Sequence, residues 1–161
     1  MLTDVKTILY ATDLGKYTRP AFRMAVSLAE KYDAKIIFLY VIEPLSASAS
    51  TMVNVYLPNT TVEELYKESV GEIHSRVAER ITKFCDEEMD GQRYPHGSPQ
   101  TLIVEGMPAP TIIKTADKMD VDLVVMGSHG HNTLENLFIG SVASKVVNRC
   151  SKPVLLVPLK E

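Results

Sequence analysis

The chain holds only two cysteines, Cys85 and Cys150, in 161 residues. They lack C-x-x-C spacing and fall on apolar faces of expected helices, so they read as buried free thiols rather than as a disulfide or a nucleophile. No apolar run approaches the roughly 18 residues that a membrane span requires. The opening MLTDVKTILYATD carries Asp4 and Lys6 where an export signal needs an uninterrupted apolar stretch. A cytoplasmic protein without a membrane partner is the expectation, and the Asn59-Thr60-Thr61 sequon then has no chemical consequence. A strong charge of one sign is missing as well. With 17 Lys and Arg against 20 Asp and Glu the net charge is −3, and the basic residues are scattered, so no nucleic-acid footprint is present. Any anionic ligand must be held by local geometry.

What remains is ordinary for a soluble domain: 45% hydrophobic and 23% charged residues, with no repeats or low-complexity tracts. The length suits a single domain over residues 1–161. Thr7 to Ala11 is a short apolar run ending at Thr12-Asp13-Leu14-Gly15, the pattern of a buried strand and its turn. A helix follows from Thr18, a cap candidate, with Pro20 in the first turn and Ala21, Ala25, Leu28, Ala29 and Tyr32 at helical spacing. Lys35 to Ile42 is apolar at nearly every position, which suits a strand covered on both faces. Residues 43–61 are rich in small and hydroxylated side chains and read as a loop insertion. Val62, Tyr66, Val70, Ile73, Val77, Ile81 and Phe84 then mark a long amphipathic helix that expires near MDGQRYPHGSP. Strand 101–105, helix 110–119, strand 122–126, helix 141–150 and strand 154–157 complete a βαβαβαβαβ order. Such alternation predicts an α/β fold: an open five-stranded parallel sheet with helices on both faces, Rossmann-like, joined by right-handed crossovers.

Ligands of open parallel sheets sit beyond the carboxyl ends of the strands, where strand order reverses. Two strand ends carry suitable residues: Thr12-Asp13, and Gly127 after Val124-Val125-Met126. With strand order 3-2-1-4-5 their loops face one another. Gly127 and Gly130 lack a Cβ, so they can turn the chain and let backbone N–H groups approach an oxygen. Gly140-Ser141 opens the next helix, whose first N–H groups have no internal acceptor and whose dipole favours phosphate. Read as chemistry, the segment is a pair of backbone nests around a polyphosphate. Read blandly, glycines after a strand make only a turn, and the spacing is neither of the familiar phosphate-loop patterns.

Met126-Gly127-Ser128-His129-Gly130, nine further residues, Gly140-Ser141-Val142-Ala143 and the closing Lys152-Pro153-Val154-Leu155-Leu156-Val157-Pro158 resemble the universal stress protein family. The likeness extends over essentially the whole chain, because Ile8 to Asp13 is similar to the family's first strand and acidic turn. G-x2-G-x9-G-[ST] is the signature of the ATP-binding subgroup. The resemblance implies that Asp13 meets the ribose and that the Val41 backbone bonds adenine. It also implies that Gly127, His129, Gly130, Gly140, Ser141 and Val142 surround ribose and phosphates, with Met126 lining the pocket. Many members have a basic residue inside the nine-residue loop, where this chain has Glu135-Asn136. That departure makes Mg²⁺ or Mn²⁺, bound through the phosphates, more necessary; Lys16 and Arg19 are possible substitutes, against a solvated-face reading. The resemblance further implies a two-fold homodimer in which the edge strand Val154–Val157 pairs with its copy.

Three functions compete. The favoured one is an ATP-binding stress-response regulator whose nucleotide occupancy is a switch for an unidentified protein partner, with at most slow hydrolysis. A nucleotide-dependent hydrolase or transferase on the same scaffold would need an activated nucleophile or general base, and none is evident. An interaction module with a vestigial pocket would not need the glycines. Apart from the family, Asp13 could satisfy turn donors instead of a ligand. His129 and His131 suit loop or phosphate contacts better than a metal site. Glu63-Glu64 and Glu87-Glu88 read as solvated helix faces rather than paired acid–base groups.

Overall fold

The computed structural model describes residues 4–15, 18–44, 62–129 and 139–159, without the side chains at 62, 63, 65, 66, 68 and 69. Most of the expected insertion, residues 45–61, lies outside the described residues, as do Lys16, Gly130, His131 and Glu135-Asn136. The elements run β1 (Thr7–Thr12), α1 (Arg19–Tyr32), β2 (Lys35–Ile42), α2 (Val62–Met89), β3 (Gln100–Glu105), α3 (Pro108–Lys118), β4 (Leu123–Gly127), α4 (Ser141–Arg149) and β5 (Val154–Val157). All strand pairs are parallel, in one five-stranded sheet of order β3-β2-β1-β4-β5. The expected α/β architecture and strand order are therefore observed.

Strand alternation divides the core into two layers. Ile8, Tyr10, Phe38 and Val125 face α1 and α2, where they meet Phe22, Ala25, Val77 and Ile81. Leu9, Ala11, Ile37, Leu39, Val124 and Met126 face the other way, onto Ala109, Ile112 and Ala116 of α3 and Ala143 and Val146 of α4. Tyr10 and Phe38 meet edge to face at 5.0 Å, and Phe22 meets Phe84 of α2 at the same centroid distance. Such ring pairs contribute about 0.5–1.5 kcal/mol beyond their buried area. The sheet's N-terminal end is tied by Asp122, whose Oδ2 accepts the N–H groups of Lys6 and Thr7, each at 2.8 Å. This sets β4 beside β1, so the loops leaving their other ends are neighbours.

Several local expectations are revised. Thr18 is the N-cap of α1 but its side chain caps nothing; the hydroxyl donates instead to the Gly15 carbonyl at 3.0 Å. Its backbone is already helical, with φ −79° and ψ −14°, so its Oγ does not take the geometry of a capping acceptor. Tyr32, placed on the apolar stripe by spacing, is 42% exposed because the helix ends there. The end of helix α2 is as expected, at the start of MDGQRYPHGSP: Cys85 and Met89 extend the buried row from Ile81, and Asp90 and Gly91 then turn left-handed. Helix α3 starts at Pro108, whose missing N–H costs nothing in the first turn. Cys85 is a buried free thiol, whereas Cys150 is only partly buried and terminates α4.

Of the Glu87-Glu88 pair, Glu87 is exposed as expected, but Glu88 is not on a solvated face. The Glu88 side chain is 2% exposed and receives the guanidinium groups of Arg19 and Arg23 from α1, the latter at 2.6 Å. Arg19 also reaches Glu87 at 3.2 Å and lies over the Phe84 ring. These carboxylates join α1 to α2, and they turn Arg19 away from the role of phosphate ligand.

Candidate functional site

The carboxyl ends of β1 and β4 open into one crevice of about 610 Å³, within the usual range for a small-molecule site. Asp13, Val41, Met126, Gly127, His129, Gly140, Ser141 and Val142 all line it. Gly130, the remaining candidate, is outside the described residues.

One wall is the turn after β1. Thr12 Oγ1 accepts the Leu14 N–H at 3.0 Å, and Asp13 Oδ1 accepts the Gly15 N–H at 2.9 Å. The turn-forming role of Asp13 is thus real, and the same bond sets the direction of its carboxylate beside the crevice. Leu14 takes a left-handed φ of 55° and is buried. From α2, Arg80 donates to the Leu14 carbonyl at 3.0 Å, so a long helix braces this turn from outside. Beneath it Tyr10 donates its hydroxyl to the Thr18 carbonyl at 3.2 Å, and burial pushes the phenol well above its ordinary pKa, keeping it neutral.

The opposite wall is built from both ends of the glycine segment. Ser128 donates its N–H to the Val157 carbonyl, and Gly140 donates its N–H to the Ser128 carbonyl at 2.7 Å. The second bond brings the start of α4 back to the end of β4. Gly140 is the N-cap of α4 and provides no side-chain cap. The first bond of the helix runs from Ser144 N–H to the Gly140 carbonyl at 2.9 Å, so the amides of Ser141, Val142 and Ala143 precede it. They and the helix dipole supply positive potential at this wall. His129 Nδ1 shares a 2.7 Å hydrogen bond with the Ser128 hydroxyl, while its Nε2 is buried and has no partner among the described residues. In the tautomer in which the Ser128 hydroxyl donates to Nδ1, Nε2 carries the proton and is a donor. A buried polar atom without a partner is costly unless a ligand satisfies it.

Gly127 differs from its expected role. It ends β4 outside the left-handed region, so it makes no sharp turn. A Cβ there would lie 2.5 Å from Leu159 Cδ1; the bare Cα makes room for the segment after β5, which also lines the crevice. The true left-handed glycine nearby is Gly106, at φ 153°, whose N–H bonds the Ile42 carbonyl at 2.9 Å and anchors the end of β2.

Sequence reasoning missed Tyr40, Glu43, Pro108 and Leu159 as lining residues. Thr12 stands beside Asp13 and was within reach of inference; Leu159 and Pro108 arrive from distant segments and leave no local signal. Among the described lining residues the formally charged ones are Asp13 and Glu43, with no lysine or arginine. Positive potential from the described residues therefore comes from backbone amides and the end of a helix.

A parallel sheet with a crevice at its switch point, walled by the turn after β1 and the N-terminus of α4, defines an α/β protein of the doubly wound class, in which ligand sites lie at that point. The chain belongs to the universal stress protein family, whose model matches residues 4–158. It is 32% identical over 158 residues to Universal stress protein MJ0531 of Methanocaldococcus jannaschii, covering 97% of this chain and 85% of that one. Universal stress protein MJ0577 of the same organism is 28% identical over 160 residues, 96% of each chain. The solved structure of MJ0577 superposes with a TM-score of 0.72, at 26% identity and 99% coverage of both chains. A universal stress protein solved in complex with cAMP shares the fold at TM-score 0.62 and 19% identity, covering 98% of this chain and all of that one. Among the described residues no helix is long and apolar enough to cross a membrane.

Proposed function

We propose that this chain binds ATP in the crevice between β1 and β4, and that occupancy is the switch of a cytoplasmic stress-response regulator that hydrolyses nucleotide slowly or not at all. The observation that carries the reading is the bond from Gly140 N–H to the Ser128 carbonyl, which sets both ends of the glycine segment across the crevice from Asp13. In this reading the amides at the start of α4, the Ser141 hydroxyl and His129 Nε2 meet the phosphates, and Asp13 meets the ribose. The Ile42 carbonyl points to the β3 side, so by strand alternation that of Val41 points to the β1 side, past the last β1–β2 pair, Thr12 with Tyr40, where adenine would bond it. Met126 lines the cradle, and Gly130, outside the described residues, belongs to the same proposed set. The free thiols of Cys85 and Cys150 agree with a reducing compartment. A relative bound to cAMP supports an adenine nucleotide as the ligand class.

The donor set fits Mg²⁺ or Mn²⁺ held mainly by the nucleotide. Among the described residues no group of three His, Cys, Asp or Glu side chains could hold a metal, and the crevice provides the Asp13 carboxylate and the Ser141 hydroxyl. Mg²⁺ commonly takes one or two protein ligands, phosphate oxygens and water. It would neutralise phosphate charge that no basic side chain in the described crevice meets. The proposal includes a homodimer through β5, an edge strand whose Val154, Leu155 and Leu156 are only partly buried.

Isothermal titration with ATP, with and without Mg²⁺, followed by a turnover assay, tests the reading. Saturable one-to-one binding strengthened by Mg²⁺, with turnover far below one per minute, is expected. No heat of binding overturns the ligand assignment, and rapid multiple turnover overturns the switch in favour of an enzyme.

A further inference from the structure

A second concavity, of about 920 Å³, lies between α3 and α4 on the outside of the helix layer. It shares no lining residue with the nucleotide crevice. Met107, Pro110 and Ile113 form its apolar part, and Met107 is 59% exposed. Its cations come as two pairs at i,i+4 spacing, Lys114 with Lys118 on α3 and Lys145 with Arg149 on α4. Among the described residues, none of the four is joined to a carboxylate. Asp117 is the acidic residue lining the same groove, and its Oδ1 accepts a 2.5 Å hydrogen bond from the Ser151 hydroxyl.

Like charges at i,i+4 destabilise a helix, and two such pairs across a groove repel each other further. Lys118 and Arg149 stand in the last turns, where the helix dipole favours them; Lys114 and Lys145 do not have that compensation. A chain with net charge −3 has carboxylates to spare, yet among the described lining residues it sets one, Asp117, against these four cations, and Oδ1 of that carboxylate is taken by Ser151. The arrangement costs stability in the isolated chain, which points to a partner that supplies the missing negative charge.

We infer that the α3–α4 groove docks an amphipathic helix of a partner protein, one with an apolar ridge flanked by Glu or Asp. The groove's shape and chemistry select this occupant. An apolar ridge is needed to cover Met107, Pro110 and Ile113, and acidic flanks are needed to meet cations on both helices. The 11 residues of α3 extend about 16 Å, the length of three turns of a partner helix. A polyanionic membrane or nucleic acid would meet the repulsion of a net negative chain and would leave the concave apolar part uncovered.

The probe is a fluorescein-labelled peptide of about 18 residues, long enough to be helical, with Leu at i, i+3, i+4 and i+7 and Glu on both flanks. Its anisotropy is titrated with the full chain, and the protein's amide shifts are mapped. Micromolar binding that weakens with salt, shifts confined to α3 and α4, and about a tenfold loss in the Lys114→Glu/Lys145→Glu double variant support the inference. That variant retains the wild-type melting temperature or exceeds it if the cations serve a partner; a clear fall would mark them as structural and overturn the inference. Ile113→Asp is a second variant that removes the apolar contact and leaves the cations. Peptide binding indifferent to both variants overturns the inference. So does tighter binding to phosphatidylglycerol vesicles or single-stranded DNA that is abolished by the charge reversals. ATP titration of the same variants is unchanged if the two sites are independent, and that result is read separately from the nucleotide assignment.

Discussion

Gly140 donates its N–H to the carbonyl of Ser128 at 2.7 Å, and this bond sets the N-terminus of α4 beside the end of β4. The φ of −60° and ψ of 154° at Gly140 are open to any residue, so its missing side chain is not required by the backbone.

Gly140→Ala therefore tests whether a ligand comes close. Alanine at a compatible backbone stabilises by about 0.4–1 kcal/mol, but it is a poorer N-cap than glycine, so the two effects oppose and the melting temperature should change little. ATP affinity, measured by calorimetry, should fall about tenfold, equivalent to about 1.4 kcal/mol, because the new methyl stands at the helix N-terminus. Unchanged affinity would put the phosphates elsewhere.

Gly127→Ala should act through packing. Its Cβ would come within 2.5 Å of Leu159 Cδ1, and because the obstacle is the movable end of a half-buried leucine the loss in urea unfolding should stay at about 1 kcal/mol, the low end for overfilling. In a Leu159→Ala background most of that loss should disappear, since the clashing methyls are gone. Equal losses in both backgrounds would show that Leu159 is not the obstacle.

Arg80→Met removes the brace between α2 and the Leu14 carbonyl, bonded at 3.0 Å. The expected cost is about 1 kcal/mol of stability for a partly exposed hydrogen bond. ATP binding should weaken as well, because the Asp13 turn loses its outer support, and Arg80→Lys should recover part of both. Loss of stability with intact affinity would confine Arg80 to a structural role.

Burial raises the pKa of the Cys85 thiol, so it stays protonated where an unfolded thiol begins to ionise. The folded state holds the proton more tightly, so this group's contribution is constant below the ordinary thiol range and turns unfavourable as pH rises through it. A Cys85→Ala variant should accordingly show a flatter loss of stability between about pH 8 and pH 10. In the wild type, a thiol reagent at neutral pH should label Cys150, the less buried cysteine, well before Cys85. Equal labelling rates would mean that the α2 layer opens readily.

Much of the site could be read from local chemistry. Asp13 at a strand end and Gly140-Ser141 at a helix start announce themselves by their neighbours, and both line the crevice. The reading of Gly127 as a tight turn was mistaken in its cause, because the atoms that need its space belong to Leu159, far along the chain. The same limit applied to Glu88, which spacing put on a solvated face and which two arginines from α1 enclose. It applied again to Arg19, a possible phosphate ligand by position, which is engaged with those carboxylates.

The order of elements, the parallel sheet and the two-sided burial of its strands were determined by the sequence alone. Apolar periodicity and turn residues are properties of neighbours along the chain, and they act before any distant contact forms. Tertiary structure decided which groups share the crevice, which cations found carboxylates and which four were left facing one another between α3 and α4. Those outcomes depend on crossovers that bring remote segments within a few ångströms, where packing and Coulomb energies outweigh any local preference.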